Sequence, residues 1–273
     1  MEKKPLVVVN GLVRKDAIAY LKEHVDVRQW TEKTVMPRET LKEWLVDADG
    51  LWCVRPLDVD GDLVKNTPNL KVIAQAAVGY DNVKIDELTA AGIPYGNTPG
   101  VLNETVAELA FTLIATASRR ILENANFVKE GRWAQRPSNI KGFDLSRRTL
   151  GIIGMGAIGV SISRRARAFG MTVVYHNRNQ RIDDKIHKTT YMELDDLLAT
   201  SDVVCVMAPL TDETYHMCDE AFFKKMKNTA LFVNVGRGPI VDTDALINAL
   251  KTGEIDYAAL DVTDPEPSHK LHH

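Results

Sequence analysis

Three glycines within six residues are the feature of this sequence best suited to binding a ligand. They lie in Gly154-Met155-Gly156-Ala157-Ile158-Gly159, after the apolar run 150–153 and before a helical pattern. In that context the first glycine permits a tight turn, the second lets the backbone approach a diphosphate, and the third lets helix and strand pack closely. The diphosphate would bind the free N–H groups at the positive end of the helix. We therefore predict that all six residues form a dinucleotide site, whereas a glycine triplet without this context would indicate only a tight turn.

The residues after the next predicted strand indicate which dinucleotide binds. A carboxylate about 20 residues past the first glycine usually binds the adenosine ribose 2′-OH of NAD. Here that position is Asn177, followed by Arg178 and then Arg181. Because this position holds no carboxylate, its side chain does not repel a 2′-phosphate. Arginine binds phosphate through paired hydrogen bonds. The sequence thus favours NADP(H), with NAD(H) as the second choice; alternatively, both arginines are solvated loop charges.

Length and composition are those of an ordinary globular protein with two domains. The chain has 273 residues, 45% of them hydrophobic and 26% charged, and a formal net charge of -3. That charge gives no general reason to expect nucleic acid or a membrane as partner. Cys53, Cys205 and Cys218 have no metal-like spacing, so we expect inert thiols, no metal site and a reducing compartment. No apolar run is long enough for a signal peptide or a membrane span, so we expect a cytoplasmic protein.

Alternating apolar runs and amphipathic segments predict the elements that position the glycine turn. Strands that alternate with helices favour parallel sheets. We therefore predict an α/β protein with two doubly wound parallel-sheet domains, a flavodoxin-like substrate domain over residues 1–98 and a Rossmann dinucleotide-binding domain over residues 99–273. The predicted strands cover residues 6–9, 50–54, 70–74, 149–154, 171–176, 202–207, 230–235 and 256–261, with a weaker one at 186–189. The predicted helices cover residues 15–24, 38–48, 103–127, 157–169, 192–200, 220–226 and 243–251.

Several separated motifs resemble those of the D-isomer-specific 2-hydroxyacid dehydrogenases, in particular the glyoxylate/hydroxypyruvate reductase branch. The resemblance extends from about residue 5 to residue 267, and the motifs are specific together rather than singly. It implies an enzyme that transfers hydride from NADPH to a small 2-oxo acid and forms a D-2-hydroxy acid. Besides the glycine turn, the motifs are Val78-Gly79-Tyr80-Asp81-Asn82, Asn103-Glu104-Thr105-Val106-Ala107-Glu108, Pro209-Leu210-Thr211, Asn234-Val235-Gly236-Arg237-Gly238, Leu260-Asp261-Val262 and Glu266-Pro267.

The same resemblance implies roles for residues that would contact the substrate. Arg237 would bind the carboxylate and polarise the ketone as hydride arrives, which suits a permanently charged guanidinium. Glu266 would orient a catalytic histidine, although in isolation it is only a loop acid. The backbone N–H groups of Val78 and Gly79 would also bind the carboxylate. Arg55 either adds a second positive charge or is an ordinary surface residue.

Further residues are expected to contact the cofactor. By resemblance, Asp261 lies near the nicotinamide carboxamide. Thr105 matches a cofactor-contacting position, with the cap of a helix as the competing explanation. Pro209 and Val235 belong to two of the motifs that carry the resemblance, and we include them in the cofactor site.

The segment 103–127 has no proline or glycine and predicts one long helix that is apolar over much of its surface. Its length suits a connection between domains. By resemblance, this helix would help two copies of the chain to pair through their cofactor domains, so we expect a homodimer. The alternative is that the apolar surface is buried between the two domains of one chain.

The sequence after Glu266 departs from the family pattern. In the family a catalytic histidine follows a further strand, in a Pro-His-x-Gly-Ser-like segment, whereas here Ser268-His269-Lys270-Leu271-His272-His273 follows. We expect none of these three histidines to replace it, because a tail without a supporting strand is not held at hydrogen-bond distance. A chain without that general acid would turn over about 10²–10⁴-fold more slowly.

A second hypothesis follows from that departure. Corepressors that resemble these dehydrogenases use the same fold as a nucleotide-sensing binding module. A pure sensor would need neither Arg237 nor Glu266, and the chain retains both. The sequence therefore favours an enzyme.

Overall fold

The computed structural model of this chain describes residues 4–135 and 140–266. The chain divides into two compact units, Met1–Val101 and Leu102–His273. In the first unit, the strands form one parallel sheet in the order β2-β1-β3-β4-β5, which is the flavodoxin-like order. Its strands are β1 (Leu6–Val9), β2 (Asp26–Gln29), β3 (Gly50–Cys53), β4 (Val72–Gln75) and β5 (Tyr95–Gly96), and its helices are α1 (Lys15–His24), α2 (Arg38–Leu45), α3 (Gly61–Val64) and α4 (Ile85–Ala90).

The second unit contains a six-stranded parallel sheet in the order β11-β10-β9-β6-β7-β8, which is the strand order of a Rossmann fold. Its strands are β6 (Thr149–Ile153), β7 (Thr172–His176), β8 (Thr190–Tyr191), β9 (Val203–Val206), β10 (Leu231–Asn234) and β11 (Tyr257–Leu260). Its helices are α5 (Asn103–Ser118), α6 (Ile121–Lys129), α7 (Ala157–Ala168), α8 (Asp184–His187), α9 (Leu194–Thr200), α10 (Glu220–Lys225) and α11 (Thr243–Thr252), with 3₁₀ turns at Arg132–Gln135 and Gly238–Ile240. Both sheets confirm the predicted fold class.

Both faces of the second sheet are buried, as expected for a parallel sheet covered by helices. Alternate residues of β9 belong to different core clusters: Val203 and Cys205 pack on one face, Val204 and Val206 on the other. This explains why the strand sequence is continuously apolar. None of the helices among the described residues is long and apolar enough to cross a membrane.

The prediction of one helix over residues 103–127 is wrong, because the helix is interrupted between Ser118 and Ile121. At the break, Arg120 has left-handed backbone angles, with φ of 49°. Its guanidinium hydrogen-bonds to both carboxylate oxygens of Asp256 at 3.1 Å and lies 4.1 Å from the ring centroid of Tyr257. These contacts with residues distant in sequence accompany a helix break that no proline or glycine signals.

The weak strand predicted at 186–189 is also wrong. Residues Asp184–His187 form the short helix α8, and the strand is Thr190–Tyr191. Ile186 is 78% exposed, so its apolar side chain does not mark a buried strand. Four short elements of the first unit were not predicted from the sequence: β2, β5, α3 and α4. The two strands lie at the edges of their sheet, where few apolar residues are needed.

Candidate functional site

The glycine turn connects β6 to α7 at the carboxyl edge of the second sheet. Gly154 has φ of +97°, and a Cβ there would lie 2.6 Å from the backbone nitrogen of Ala208. Glycine is therefore required both by conformation and by close packing against the loop after β9. A Cβ on Gly156, by contrast, would meet nothing within 4 Å. Among the described residues, no side chain caps the N-terminus of α7. The N–H groups of its first turn, together with the open space at Gly156, therefore fit a diphosphate.

The peptide groups of Met155 are held in place by side chains from the end of β7. Asn177 accepts a hydrogen bond from the Met155 N–H through Oδ1 at 2.6 Å and donates from Nδ2 to its carbonyl at 3.3 Å. Arg181 donates to the same carbonyl through Nη1 at 3.0 Å. The side chain of Met155 is buried. Asn177 thus supports the turn itself, in addition to occupying the expected ribose position.

The two arginines predicted to bind a 2′-phosphate differ in their surroundings. Arg178 is exposed and is not among the ion pairs of the described chain. The pKa of Glu213 is lowered chiefly by a hydrogen bond from Thr211, with a smaller contribution from the charge of Arg178. Arg181 forms a two-point ion pair with Asp183. The structure therefore brings Arg181 to the glycine turn already paired with a carboxylate.

Arg237 lies in a loop that follows β10 at the same edge of the sheet. Asn234, only 1% exposed, accepts from the Gly236 N–H at 3.0 Å and donates to the Arg237 carbonyl at 2.9 Å. The half-buried Arg237 side chain donates from Nη1 to the carbonyl of Gly236 at 2.9 Å. A buried amide thus holds both ends of the turn that carries this guanidinium.

The loop after β11 packs directly against the Arg237 loop. A Cβ on Gly238 would overlap the backbone of Thr263, so only glycine allows this approach. The N–H of Asp261 donates to the Asn234 carbonyl at 3.0 Å, and the Thr243 hydroxyl donates to the carbonyl of Asp264 at 2.8 Å. These contacts place the exposed side chains of Asp261 and Glu266 on the loop beside Arg237.

Histidine is not hydrogen-bonded to Glu266 anywhere in the described ranges. His176 binds the Met192 carbonyl through Nδ1, and His187 contacts Asp183. The three C-terminal histidines considered as substitutes, His269, His272 and His273, lie outside the described residues.

The remaining predicted cofactor residues also belong to the second unit. Val235 is buried, and its N–H donates to the Val206 carbonyl at 3.2 Å, whereas Pro209 is exposed in the loop after β9. Thr105 is exposed on the first turn of α5. The neighbouring Glu104 accepts from the Ser161 hydroxyl at 2.7 Å and from Arg164 at 2.7 Å. The start of α5, and with it Thr105, is thereby attached to α7.

In the first unit, the loop after β4 presents the predicted backbone donors. The carbonyls of Ala77, Val78 and Gly79 accept hydrogen bonds from the Thr98 N–H at 3.0 Å, from Asn97 Nδ2 at 2.8 Å and from Gln75 Nε2 at 3.0 Å. Within the described residues, the N–H groups of Val78 and Gly79 have no acceptor. The loop thus offers two adjacent donors for an anion.

Arg55 follows the neighbouring strand β3, and its backbone is held by a buried side chain. Asn10, 3% exposed, accepts from the N–H groups of Val54 at 2.7 Å and Arg55 at 3.2 Å, and donates to the Arg55 carbonyl at 3.3 Å. A Cβ on Gly11 would lie 2.6 Å from Cγ of Arg55. Asn10 and Gly11, which follow β1, therefore fix the position of the Arg55 backbone and of the first part of its exposed side chain.

Comparison with known proteins assigns this chain to a family. Residues 111–273 match the family described as D-isomer specific 2-hydroxyacid dehydrogenase, NAD binding domain. A glyoxylate reductase of Thermococcus gammatolerans is 41% identical over 270 residues, which are 97% of this chain and 81% of the relative. The chain belongs to the D-isomer specific 2-hydroxyacid dehydrogenases. Within that family, it falls in the branch of relatives named glyoxylate reductase.

Solved structures support the assignment of this dehydrogenase. The crystal structure of a glyoxylate reductase from Paecilomyes thermophila superposes with a TM-score of 0.89 at 31% identity, covering 99% of this chain and 85% of the other. An NADPH-dependent glyoxylate/hydroxypyruvate reductase from Sinorhizobium meliloti, solved with NADP and malonate, gives a TM-score of 0.86 at 29% identity, covering 97% and 82%. The dehydrogenase thus has a nicotinamide dinucleotide-binding domain that contains the glycine turn.

Sequence reasoning missed the side chains that hold the loops of this dehydrogenase. Asn10, Gln75 and Asn234 are buried, and each stands directly at the end of an apolar strand. A polar residue in that place has to satisfy its hydrogen bonds within the protein, and the nearest polar groups are those of the following loop. An amide directly after an apolar run was therefore an available signal.

No group of three or more His, Cys, Asp or Glu side chains that could hold a metal ion occurs in the described ranges. The three cysteines are buried and unpaired by disulfides. Burial raises the pKa of Cys53 and of Cys205 to about 12, so both thiols stay protonated at neutral pH. All three cysteines pack among apolar side chains, each in a different core cluster.

Proposed function

We propose that this dehydrogenase transfers hydride from NADPH to a small 2-oxo acid, with glyoxylate and hydroxypyruvate as the favoured substrates, and forms a D-2-hydroxy acid. The observation that carries the proposal is the position of Arg237 at the same sheet edge as the glycine turn. Asn234 holds the backbone of the Arg237 turn, and the Arg237 guanidinium donates to the Gly236 carbonyl. A fixed cation at that edge suits a substrate that is an anion and gains negative charge on its ketone oxygen during reduction. The names of the relatives at about 40% identity support the substrate class.

The second unit is proposed to bind the cofactor. Its glycine turn and the first turn of α7 would hold the diphosphate, Asn177 and Arg178 the adenosine ribose with its 2′-phosphate, and Asp261 the nicotinamide carboxamide. Bound NADPH supplies the hydride. The absence of a carboxylate at position 177 supports NADPH over NADH, because the side chain that faces the ribose 2′ position in NAD-binding folds carries no like charge here.

The first unit is proposed to bind the substrate carboxylate. The N–H groups of Val78 and Gly79 are suited to this, because neither has an acceptor among the described residues. The carbonyls of the same two residues accept hydrogen bonds from side chains, which holds the loop in place. Arg55 is proposed to add a positive charge. Glu266 is assigned the orientation of an acid–base histidine, which would donate the proton that the ketone oxygen receives.

The proposal is tested by steady-state oxidation of NADPH with glyoxylate and hydroxypyruvate, followed by chiral analysis of the product. Arg237→Lys should lower kcat/KM by about 10²–10³-fold, because lysine cannot bind a carboxylate with a planar two-donor fork. The dissociation constant of NADPH should stay within about twofold of the wild-type value, since Arg237 is proposed to bind the substrate and not the cofactor. Arg14→Lys, in an exposed ion pair of the first unit, is the matched control and should change neither.

Three results would overturn parts of this proposal. Tighter binding of NADH than of NADPH would contradict the cofactor preference. Nucleotide binding by the intact full-length protein, without turnover of any small 2-oxo acid, would favour a nucleotide-sensing module over an enzyme. An L-product would contradict the stereochemistry.

We also propose that the protein forms a homodimer through α5 and α6. α5 buries Ala107, Ala110 and Ile114 in the core of its own unit. Other apolar residues on the two helices remain exposed: Leu109 at 40%, Ile121 at 51%, Leu122 at 66% and Val128 at 53%. Such exposed apolar side chains on consecutive helices are the surface on which we place the second copy.

A further inference from the structure

We propose that Asp183 weakens the preference of this dehydrogenase for NADPH by neutralising the guanidinium of Arg181 beside the glycine turn. This inference rests on the proposed function in one respect, that the adenosine ribose binds at the end of β7. It names a residue that determines cofactor specificity and touches neither the substrate nor the nicotinamide.

Arg181 is held at the nucleotide site by backbone contacts. Its Nη1 donates to the carbonyl of Met155, the second residue of the glycine turn, at 3.0 Å. Its own N–H donates to the hydroxyl of Tyr175, a fully buried residue of β7, at 2.8 Å. Asn177, at the ribose position, binds the same Met155 carbonyl. Arg181 and Asn177 therefore converge on one peptide of the turn, which places the guanidinium next to the expected ribose.

Asp183 occupies one edge of that guanidinium. Its Oδ1 accepts from Arg181 Nε at 2.8 Å, and its Oδ2 accepts from Arg181 Nη2 at 2.7 Å. His187 approaches the same Oδ2 through Nε2 at 3.1 Å. The side chains of Arg181 and Asp183 are 25% and 38% exposed, so water screens the pair only in part. Two of the five guanidinium N–H donors are taken up by Asp183 and a third by Met155.

A 2′-phosphate at this site would meet a paired arginine instead of a free one. The carboxylate of Asp183 cancels the charge of Arg181 and repels a phosphate, which carries close to two negative charges. NADH has an uncharged hydroxyl group at the 2′ position and is insensitive to this charge. Asp183 should therefore raise the dissociation constant of NADPH while leaving that of NADH unchanged. The exposed Arg178, which is not ion-paired among the described residues, is then the more available partner for the phosphate.

The test compares the dissociation constants of NADPH and NADH in Asp183→Asn, measured by fluorescence titration of the purified chain. Asparagine keeps the size of the side chain and removes its charge. We expect NADPH to bind on the order of tenfold more tightly, and NADH to change by less than about twofold. Asp195→Asn is the matched control, because Asp195 has an exposed ion pair with Lys225 on the same unit, and it should alter neither constant.

A double variant separates the action of Arg181 from a general effect of charge. In an Arg181→Gln background, Asp183→Asn should improve NADPH binding by a smaller factor than in the wild type, because it removes the repulsion by the carboxylate but releases no guanidinium. Asp183→Ser provides a second neutral variant if the thermal transition of Asp183→Asn shows that it does not fold.

The inference is overturned if the neutral variants leave the NADPH constant unchanged, tighten NADPH and NADH equally, or show the same gain in the Arg181→Gln background as in the wild type. The proposed function is tested separately by the wild-type chain. A wild-type preference for NADH would contradict the proposed cofactor, yet a selective gain in NADPH affinity on neutralising Asp183 would still support the role of this carboxylate.

Discussion

At the scale of single residues, Gly156 allows nucleotide binding to be tested apart from folding. A Cβ at this position meets no protein atom within 4 Å, and its φ of -89° is accessible to alanine. Gly156→Ala should therefore leave the free energy of unfolding within about 0.5 kcal/mol of wild type. The added methyl group would project into the space through which the diphosphate approaches, so the dissociation constant of NADPH should rise by on the order of tenfold or more.

Denaturant unfolding and NADPH titration of Gly156→Ala check this prediction. Gly96→Ala is the control, because a Cβ at Gly96 also meets nothing within 4 Å. It should be neutral in both measurements. Wild-type NADPH affinity in Gly156→Ala would contradict the placement of the diphosphate.

Gly11 permits a similar test of Arg55. A Cβ on Gly11 would lie 2.6 Å from Cγ of Arg55, so Gly11→Ala should push this side chain out of its place without removing its charge. If Arg55 binds the substrate carboxylate, KM for the 2-oxo acid should rise by roughly fivefold to tenfold while the NADPH constant stays the same. Steady-state kinetics decide the matter, with Gly96→Ala again as control; an unchanged KM would make Arg55 an ordinary surface residue.

At the scale of elements, the break between α5 and α6 depends on Arg120. This side chain is 18% exposed and binds Glu123 at 3.0 Å, Asp256 at 3.1 Å and the ring of Tyr257. Truncation would leave two carboxylates without their shared cation and would remove the contact that attaches the break to the start of β11. Arg120→Ala should therefore lower the free energy of unfolding by about 2 kcal/mol.

Urea unfolding of Arg120→Ala, followed by circular dichroism, measures this loss. Arg14→Ala removes an ion pair whose arginine is 84% exposed, and it should cost less than about 0.5 kcal/mol. Equal losses in the two variants would show that Arg120 is no more important than a surface charge.

At the scale of the whole molecule, the proposed dimer predicts concentration-dependent assembly. The chain should sediment as a dimer at micromolar concentration, and Leu122→Glu should shift it towards monomer, because a charge would be buried in an apolar contact. Val35→Glu, at a position 66% exposed on the other unit, should leave the mass unchanged. A wild-type chain that sediments only as a monomer would rule the dimer out.

The sequence alone was enough to predict the two parallel sheets and the family. Continuous apolar strands such as Val203–Val206 report burial on both faces of a sheet, and their alternation with helices restricts the topology to few arrangements. The glycine turn was visible because the requirements for a tight turn and for close packing fall on residues that are neighbours in the chain. Short edge strands such as Asp26–Gln29 were missed, since none of the four residues is fully buried and the strand lacks an apolar run.

Only the tertiary structure decided the helix break at Arg120, the attachment of Arg237 through Asn234 and the partner of Arg181. The first depends on Asp256 and Tyr257, which are far away in sequence. The last depends on which of several nearby acceptors a flexible guanidinium reaches; Arg181 reaches the Met155 carbonyl and Asp183 through different N–H groups. Local patterns determine which segments are buried, because burial repeats along one element. Pairing between polar side chains follows from distances in the folded chain, and for that reason the sequence identified the candidate residues without their partners.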